Sequence, residues 1–260
     1  MSTSLLTNIE GAVGYITLNR PQVFNSFNRE MALHLQATLQ QLATNPQVRC
    51  IVITGAGKAF CAGQDIGELL GDEKIGFEKI LKEHYNPIVA AMRALPKPIV
   101  VAVNGVAAGA GANIALAADV VVAADNAAFI QAFSKIGLIP DSGGTFTLPR
   151  LIGFQKASAL MMLGDKVSAT EAEKLGMLYK VFPAETLQEE TKKIAETLAA
   201  LPTKALALTK QALNQSLVSN SFEAQLQVED ELQFVAAHTT DYAEGIQAFV
   251  EKRSPKFTGQ

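Results

Sequence analysis

Hydrophobic and polar residues follow two different periods along the first two thirds of the chain. Residues 13–18 alternate with period two and are rich in β-branched and aromatic side chains, which predicts a strand after a turn at Gly11. Residues 28–43 carry apolar side chains at helical spacing, with Asn28 as a plausible N-cap. The segment 49–54 is apolar on both faces, as in a covered sheet. This alternation of strands and helices predicts an α/β fold with short parallel-type crossovers.

After residue 98, predicted strands and helices continue to alternate, and from residue 186 onward the pattern is almost entirely helical. Strands are predicted over 99–103, 120–123 and 179–182, and helices over 73–95, near 112–117, from the Ser168–Glu171 capping box to Gly176, and over 186–200, 203–218, 221–237 and 241–252. Residues 1–200 are therefore assigned to an α/β core and residues 201–260 to a helical region. That region is too thin to fold alone, so we expect it to dock on its own core or on a neighbouring subunit.

Composition and charge exclude several classes of protein. The chain has 260 residues, of which 48% are hydrophobic, and a net charge of −3 without a basic stripe, which argues against nucleic acid as a partner. The N-terminal residues do not have the pattern of a signal peptide, and polar residues such as Asn104 and Asp119 interrupt the most apolar segment, so no membrane span is predicted. Two cysteines make no disulfide framework, which favours the cytoplasm, and the three histidines lack metal-ligand spacing.

A single carboxylate, Asp141, stands between the apolar run Ile-Gly-Leu-Ile-Pro and Ser-Gly-Gly. A carboxylate in such a loop is poorly solvated, so we expect its pKa to rise toward the working pH, as suits a group that both takes and returns a proton. The alternative is that Asp141 caps the helix that follows it.

Two glycine-bearing segments, 59–66 and 104–113, accompany this carboxylate. Small residues let a ligand approach the backbone, and one N–H group from each segment could hold a carbonyl oxygen as it becomes an oxyanion. The alternative for the second segment is close packing of a helix on a strand, and it matches neither the P-loop nor the GxGxxG pattern. Cys61 is interpreted as a buried small residue and not as a nucleophile.

The motifs NRPQVFNSFN (19–28), GAGKAFCAGQDI (55–66), NGVAAGAGANIALAADVVVAA (104–124), KIGLIPDSGGTFTLPRLIG (135–153) and EGIQAFVEKRSPKF (244–257) resemble the crotonase, or enoyl-CoA hydratase/isomerase, superfamily over essentially the whole chain. The resemblance implies a spiral of ββα units with a C-terminal helical trimerisation region. It also implies a homotrimer or a dimer of trimers that binds acyl-CoA, with coenzyme A as part of the substrate and no other cofactor.

The same resemblance implies roles for particular residues. The backbone N–H groups of Gln64 and Ala110 would hold the thioester oxygen. Asp65 would fix its loop by hydrogen bonds, and Lys252 and Lys256 are candidates for phosphate contacts in another subunit. The residues expected to line the substrate site are Val23, Phe24, Lys58, Ala62, Gly63, Asp65, Ile66, Tyr85, Gly109, Asn113 and Phe133.

The chain departs from the hydratase pattern at three positions. Asn113 and Phe133 stand where hydratases carry the two glutamates that activate water, and Asp141 stands where they usually have glycine. An amide cannot act as a carboxylate base and a phenyl ring cannot hold water, so the remaining carboxylate favours a one-base isomerase. Within the family the motifs are most similar to isomerases of bacterial phenylacetate degradation. These convert ring 1,2-epoxyphenylacetyl-CoA to oxepin-CoA and also shift 3-enoyl double bonds to position 2.

An aromatic-derived acyl group needs a wide apolar pocket, for which Phe77, Tyr85, Phe133 and Phe146 are candidates. Two other functions stay open. One is an enoyl-CoA hydratase of fatty-acid β-oxidation, and the other is a noncatalytic protein that binds acyl-CoA or RNA. The RNA alternative is weak because the first predicted helix has Arg29 as its sole basic residue.

Overall fold

The large sheet of the computed structural model, which describes residues 3–70 and 76–260, has six strands. They are β1 (Leu5–Glu10), β2 (Val13–Leu18), β3 (Cys50–Gly55), β5 (Ile99–Val103), β7 (Val120–Ala124) and β10 (Lys180–Phe182), in the order β1-β2-β3-β5-β7-β10. β1 pairs antiparallel with β2, and every later neighbour is parallel. β5 is buried along its whole length, as expected of a central strand covered on both faces.

The small sheet has three strands that each follow a strand of the large sheet and a fourth strand that follows a helix. It contains β4 (Ala59–Cys61), β6 (Val106–Ala108), β8 (Ala128–Ile130) and β9 (Lys166–Ser168), in that order, and β4, β6 and β8 are parallel. The chain thus repeats one step: a strand in the large sheet, a strand in the small sheet, then helix. This repeat is the predicted spiral of ββα units.

Helices cover the two sheets and form the C-terminal region. They are α1 (Arg29–Thr44), α2 (Ile66–Leu70), α3 (Phe77–Lys79), α4 (Asn86–Ala94), α5 (Ala110–Leu116), α6 (Gly144–Ile152), α7 (Phe154–Leu163), α8 (Ala169–Leu175), α9 (Leu187–Ala200), α10 (Thr203–Ser216), α11 (Phe222–Ala237) and α12 (Thr240–Glu251). A π-helical segment, Ile80–Tyr85, joins α3 to α4. The first residues of the helix predicted over 73–95 lie outside the described part of the chain.

The caps that the sequence predicts for α1 and α8 are present. The Asn28 side chain accepts a hydrogen bond from the Met31 N–H, Ser168 Oγ accepts one from the Glu171 N–H, and Gly176 ends α8 in the left-handed region. These caps satisfy N–H groups that have no partner within the helix. The ends of both helices therefore follow from local sequence.

Among the described elements, five strands and the helices α2 and α7 were not predicted, and the helix expected after Asp141, which is α6, was given no bounds. β4, β6, β8 and β9 have three residues each, too short to show a period. β1 (LLTNIE) does not alternate regularly between apolar and polar residues, and only one of its six residues is buried, since it lies at the edge of its sheet. α6 and α7 follow glycines, and α6 contains Pro149, which obscures the helical pattern.

The core lies on both faces of the large sheet. The main apolar cluster joins α1, α4 and α5 to the sheet and includes Leu35, Ile53 and Val101. A smaller cluster, with Val52 and Ala195, lies where α9 covers the other face. Cys50 is in this second cluster and Cys61 is in the first; both thiols are free and buried.

The C-terminal region docks on its own core through polar contacts. Lys210 Nζ of α10 lies 2.8 Å from Asp119 Oδ2, and both side chains are largely buried. Arg49, directly before β3, donates to the Thr203 hydroxyl and to the Leu201 and Phe257 carbonyl oxygens. The buried Asp241 carboxylate accepts the Thr258 and Gly259 N–H groups. The final residues are therefore tied to the strands, although the division at residue 200 stays a prediction.

Apolar side chains on α11 and α12 are exposed, among them Phe222, Phe234, Ile246, Phe249 and Val250. Within residues 3–70 and 76–260, none of the helices combines the length and the apolar character that crossing a membrane requires.

Replacing Gly111 with alanine should destabilise the protein by about 2 kcal/mol or more, because overpacking against backbone exceeds the ~1 kcal/mol that alanine gains in a helix. A Cβ at Gly111 would lie 2.4 Å from the Cys61 carbonyl oxygen, so α5 could not pack as closely on β4. The measurement is urea unfolding. The matched control is Gly76→Ala, since a Cβ at Gly76 meets nothing within 4 Å. Equal stability of the two variants would contradict the prediction.

Candidate active site

Three segments of the site leave the small sheet at the same edge. The strands β4, β6 and β8 are parallel neighbours, so the residues that follow them lie side by side. The segment 62–65 follows β4, Gly109 and Ala110 follow β6, and Gln131 begins the segment after β8. The carboxyl edge of a parallel sheet is where ligands bind in open α/β proteins. Segments far apart in sequence are thereby brought together.

The segment after β4 is fixed by hydrogen bonds on both sides of Gln64. The Phe27 N–H donates to the Gly63 carbonyl at 2.7 Å, and the Asp65 N–H donates to the Phe27 carbonyl at 2.8 Å. Asp65 Oδ2 lies 2.7 Å from Arg20 Nη2, and its Oδ1 accepts the Gly67 N–H. All these contacts of Asp65 are to protein groups, in keeping with the structural role that the resemblance implies.

The N–H groups of Gln64 and Ala110 are the two donors that the resemblance assigns to the thioester oxygen. The bridge to Phe27 uses the residues on either side of Gln64, and Ala110 is the first residue of α5. Neither N–H donates to an acceptor within residues 3–70 and 76–260. A Cβ on Gly63 would lie 3.6 Å from the Ala110 nitrogen, so the two segments nearly touch. Two free donors in one place are the arrangement that stabilises an oxyanion.

Asp141 lies in a tight turn before α6. Ser142 and Gly143 both have positive φ, 52° and 74°, which is unusual for serine. The helix begins at Gly144, and its N-cap is Gly143 without a side-chain cap. The alternative interpretation of Asp141 as a helix cap is therefore wrong, because the N-cap is Gly143 and no side chain caps the N–H groups of α6.

Burial raises the pKa of Asp141 to about 6, although the Ser142 hydroxyl, which donates to Asp141 Oδ1 at 2.8 Å, opposes the rise. Such a value suits a group that must release a proton as readily as it takes one near neutral pH. Cys61 is the opposite case, since burial raises the pKa of its thiol to about 12 and keeps it protonated.

Asn113 contacts the backbone of the Asp141 turn, Phe133 lies near Gly109, and both side chains are buried. Asn113 Nδ2 donates to the Asp141 carbonyl oxygen at 2.9 Å, so the amide holds the turn. Phe133 lies against Gly109, where an added Cβ would be 3.8 Å from its ring. Neither side chain presents a carboxylate to the site.

Tyr85 reaches the site from the π-helical segment. Its hydroxyl donates to Gln64 Oε1 at 2.7 Å, and Gln64 Nε2 donates to Glu68 Oε2 at 2.8 Å. Burial raises the pKa of Tyr85 well above its usual value, and the negative charge of Asp141 adds to the rise. The tyrosine is therefore neutral and holds the Gln64 side chain from one end while Glu68 holds it from the other.

The remaining predicted residues lie around the mouth of the site. The Ala62 N–H donates to the Phe24 carbonyl oxygen at 3.0 Å, which joins the two segments expected to contact coenzyme A. Exposed residues in these segments are Phe24, Lys58, Ala62 and Ile66, whereas Val23 is half-buried and Gly63 is buried. Lys252 and Lys256 are exposed in the C-terminal region, and their expected contact with another subunit stays a prediction.

The aromatic residues proposed for an apolar pocket do not form one set. Tyr85 and Phe133 are buried, whereas Phe77 and Phe146 are partly exposed. The Arg150 guanidinium lies 3.7 Å from the centre of the Phe146 ring, so this phenylalanine has a partner of its own.

Sequence reasoning missed Gln131 and Ser142. Gln131 Nε2 donates to Asn113 Oδ1 at 2.7 Å, and both side chains are buried. Gln131 directly follows a short apolar segment, and this position could have marked it in the sequence, because a polar side chain buried there needs a hydrogen-bond partner. In the described part of the chain, histidine, cysteine and acidic residues form no cluster of three that could hold a metal ion.

Comparison with known proteins shows the family of the chain. Residues 8–260 match the sequence model of the enoyl-CoA hydratase/isomerase family. A 1,2-epoxyphenylacetyl-CoA isomerase of Escherichia coli is 45% identical over 100% of both chains. A probable enoyl-CoA hydratase of Rhodobacter capsulatus is 44% identical over 97% of this chain and 96% of its own.

Solved structures show the same fold. A crystal structure of an enoyl-CoA hydratase from Bacillus anthracis has a TM-score of 0.92 at 34% identity, over 99% of this chain and 100% of that chain. Fold and sequence agree, and the chain belongs to the enoyl-CoA hydratase/isomerase family, the crotonase superfamily.

Proposed function

We propose that this protein is an acyl-CoA isomerase in which Asp141 is the single proton-transferring base. The observation that carries the proposal is the half-buried Asp141 carboxylate, whose pKa is raised and whose turn is hydrogen-bonded to Asn113 of α5, the helix that begins at Ala110. Asn113 and Phe133 stand at the positions where the resemblance places hydratase glutamates. Amide and phenyl groups cannot activate water as a carboxylate pair does. Proton transfer next to an activated carbonyl needs only the groups that this site has.

In the proposed reaction, the thioester oxygen accepts hydrogen bonds from the Gln64 and Ala110 N–H groups. These donors stabilise the negative charge that develops on that oxygen when the neighbouring carbon loses a proton. They are backbone groups fixed by β4 and α5, so little reorganisation accompanies the reaction. We assign the contacts with coenzyme A to the residues around Phe24, Lys58, Ala62 and Ile66.

The Asp141 carboxylate then moves one proton. It removes a proton from the carbon next to the thioester of a 3-enoyl-CoA, and the electron pair of that C–H bond enters the conjugated enolate. The protonated carboxyl returns the proton to the fourth carbon, the enolate collapses, and the double bond lies at position 2. No atom is gained or lost, so the enzyme needs no water and no cofactor besides the CoA of its substrate.

The finer substrate is a second part of the proposal. Similarity to the Escherichia coli isomerase supports ring 1,2-epoxyphenylacetyl-CoA, converted to oxepin-CoA in phenylacetate catabolism, by the same loss of a proton next to the thioester and its return at a distant carbon. A trans-2-decenoyl-[acyl-carrier-protein] isomerase of Streptococcus mutans, 37% identical, supports isomerisation more generally.

We further propose a cytoplasmic homotrimer or dimer of trimers, supported by the exposed apolar side chains of α11 and α12.

A hydratase is the second candidate, favoured by the similarity to the Rhodobacter capsulatus protein. It would need a water molecule activated without the usual glutamate pair. Product mass separates the two, because hydration adds water to a 2-enoyl-CoA and isomerisation leaves the mass unchanged.

Asp141→Asn should lower the rate of 3-enoyl-CoA isomerisation by about 10³-fold, since an amide cannot take the proton and general base catalysis contributes roughly 10²–10⁴-fold. Affinity for a saturated acyl-CoA should stay within about threefold, because the N–H donors are unchanged. Products from 3-enoyl-CoA and trans-2-enoyl-CoA are resolved by mass spectrometry. Asp165→Asn, at an exposed position, is the matched control. Isomerisation retained in Asp141→Asn, or hydration faster than isomerisation in the natural protein, would refute the proposal.

The pH dependence of kcat should show a limb near pH 6. Asp141 acts only when deprotonated, so kcat rises about tenfold per pH unit below its pKa and is level above it. The Ser142 hydroxyl stabilises the charged form, so Ser142→Ala should move the limb to higher pH. The measurement is the initial rate of isomerisation from pH 4.5 to 8.5. A limb near pH 4, or one that Ser142→Ala moves to lower pH, would contradict the assignment.

A further inference from the structure

The Asp141 turn is held by a chain of two buried amides. Gln131 Nε2 donates to Asn113 Oδ1 at 2.7 Å, and Asn113 Nδ2 donates to the Asp141 carbonyl oxygen at 2.9 Å. Gln131 is 3% exposed and Asn113 is 1% exposed, so water does not replace either bond. Gln131 comes from the end of β8, Asn113 from α5 and Asp141 from the turn before α6. The chain therefore ties together three separate elements around the base.

The direction of these hydrogen bonds follows from chemistry. A carbonyl oxygen can only accept, so Asn113 must present its NH₂ group to Asp141. Its oxygen then faces Gln131, which must in turn present its own NH₂ group. Gln131 Oε1 is left buried and accepts no hydrogen bond from any described protein group. The orientation of both amides is thus set by the need to donate to the Asp141 backbone, even though one oxygen at the far end has no protein donor.

The turn needs such support from outside. Ser142 and Gly143 both have positive φ, and a serine in this region persists only where its surroundings hold it. The Gly144 N–H donates to the same Asp141 carbonyl at 2.8 Å. A Cβ at Gly144 would lie 2.3 Å from Asn113 Nδ2, so the turn lies directly on the Asn113 amide. A rotated Asn113 amide would place its oxygen against the Asp141 carbonyl oxygen, and the turn would move.

We infer that Gln131 is a positioning residue for the catalytic base. It fixes the orientation of the Asn113 amide, and Asn113 fixes the backbone of Asp141, so the carboxylate stays aimed at the carbon that loses the proton. Gln131 acts through Asn113 and is assigned no contact with the substrate. This inference rests on the proposed function of Asp141 and extends it to a residue two hydrogen bonds away.

The first test is Gln131→Met, which keeps the length of the side chain and removes the donor. We expect kcat for 3-enoyl-CoA isomerisation to fall by about 10- to 100-fold with KM within about twofold, because a misplaced base lowers the rate of proton transfer and leaves CoA contacts intact. The acidic limb of kcat should also move to lower pH, since a loosened turn lets water reach the carboxylate. Loss of folded protein alone would move neither kcat per folded molecule nor the limb.

The matched control is Gln225→Met. Gln225 lies in α11, donates to the Ala212 carbonyl oxygen and, like Gln131, has a buried oxygen without a protein donor. This substitution should leave kcat and the acidic limb unchanged. The amount of folded protein in each variant is measured by thermal unfolding, and rates are expressed per folded molecule.

A second variant covers the case in which Gln131→Met does not fold. In Gln131→Glu, the protonated carboxyl donates to Asn113 as the amide does, whereas the ionised carboxylate cannot. We therefore expect kcat of this variant to fall at high pH, where the natural protein is level.

The outcomes separate this inference from the proposed function. If the natural protein isomerises and Asp141→Asn does not, the base is established. If Gln131→Met then keeps kcat and its limb, or Gln131→Glu keeps the pH profile of the natural protein, the positioning role is overturned. If the natural protein itself does not isomerise, it is the proposed function that fails.

Discussion

The parallel pairing of three short strands is the constraint on which the site depends. β4, β6 and β8 have three residues each and little apolar area of their own, yet they end side by side. Glycines at 63, 109 and 111 make this possible, because a Cβ at Gly111 would strike the Cys61 backbone. Backbone contact of this kind fixes two N–H groups that no side chain could aim as rigidly. The long strands of the large sheet contribute many residues to the buried apolar core, and the short strands place the two N–H groups of the site.

Burial gives the site its chemistry. Asp141 would be an ordinary ionised carboxylate in water, and partial burial in its turn raises its pKa to about 6. Ser142 moderates the rise through one hydrogen bond, and the two amides hold the backbone of the turn. A proton shuttle of this type needs a base whose protonated and ionised forms are close in free energy, which solvent exclusion and one donor together provide.

Sequence patterns predicted the long elements well and the short ones poorly. The α1 and α8 caps, the central strands and the C-terminal helices follow from local period and capping chemistry, which need only neighbouring residues. Asp141 stood out because its neighbours are apolar. Its role as a helix cap could not be excluded from sequence, since this depends on the positive φ of Ser142 and Gly143. Gln131 was missed because its importance lies in two hydrogen bonds to distant segments.

The most direct measurement is a crystal structure of the protein with a saturated acyl-CoA, which binds and cannot isomerise. The account predicts the thioester oxygen within about 3.2 Å of both the Gln64 and Ala110 nitrogens, and the Asp141 carboxylate next to the carbon beside the thioester. A thioester oxygen bound elsewhere, or an Asp141 carboxylate directed away from that carbon, would contradict it.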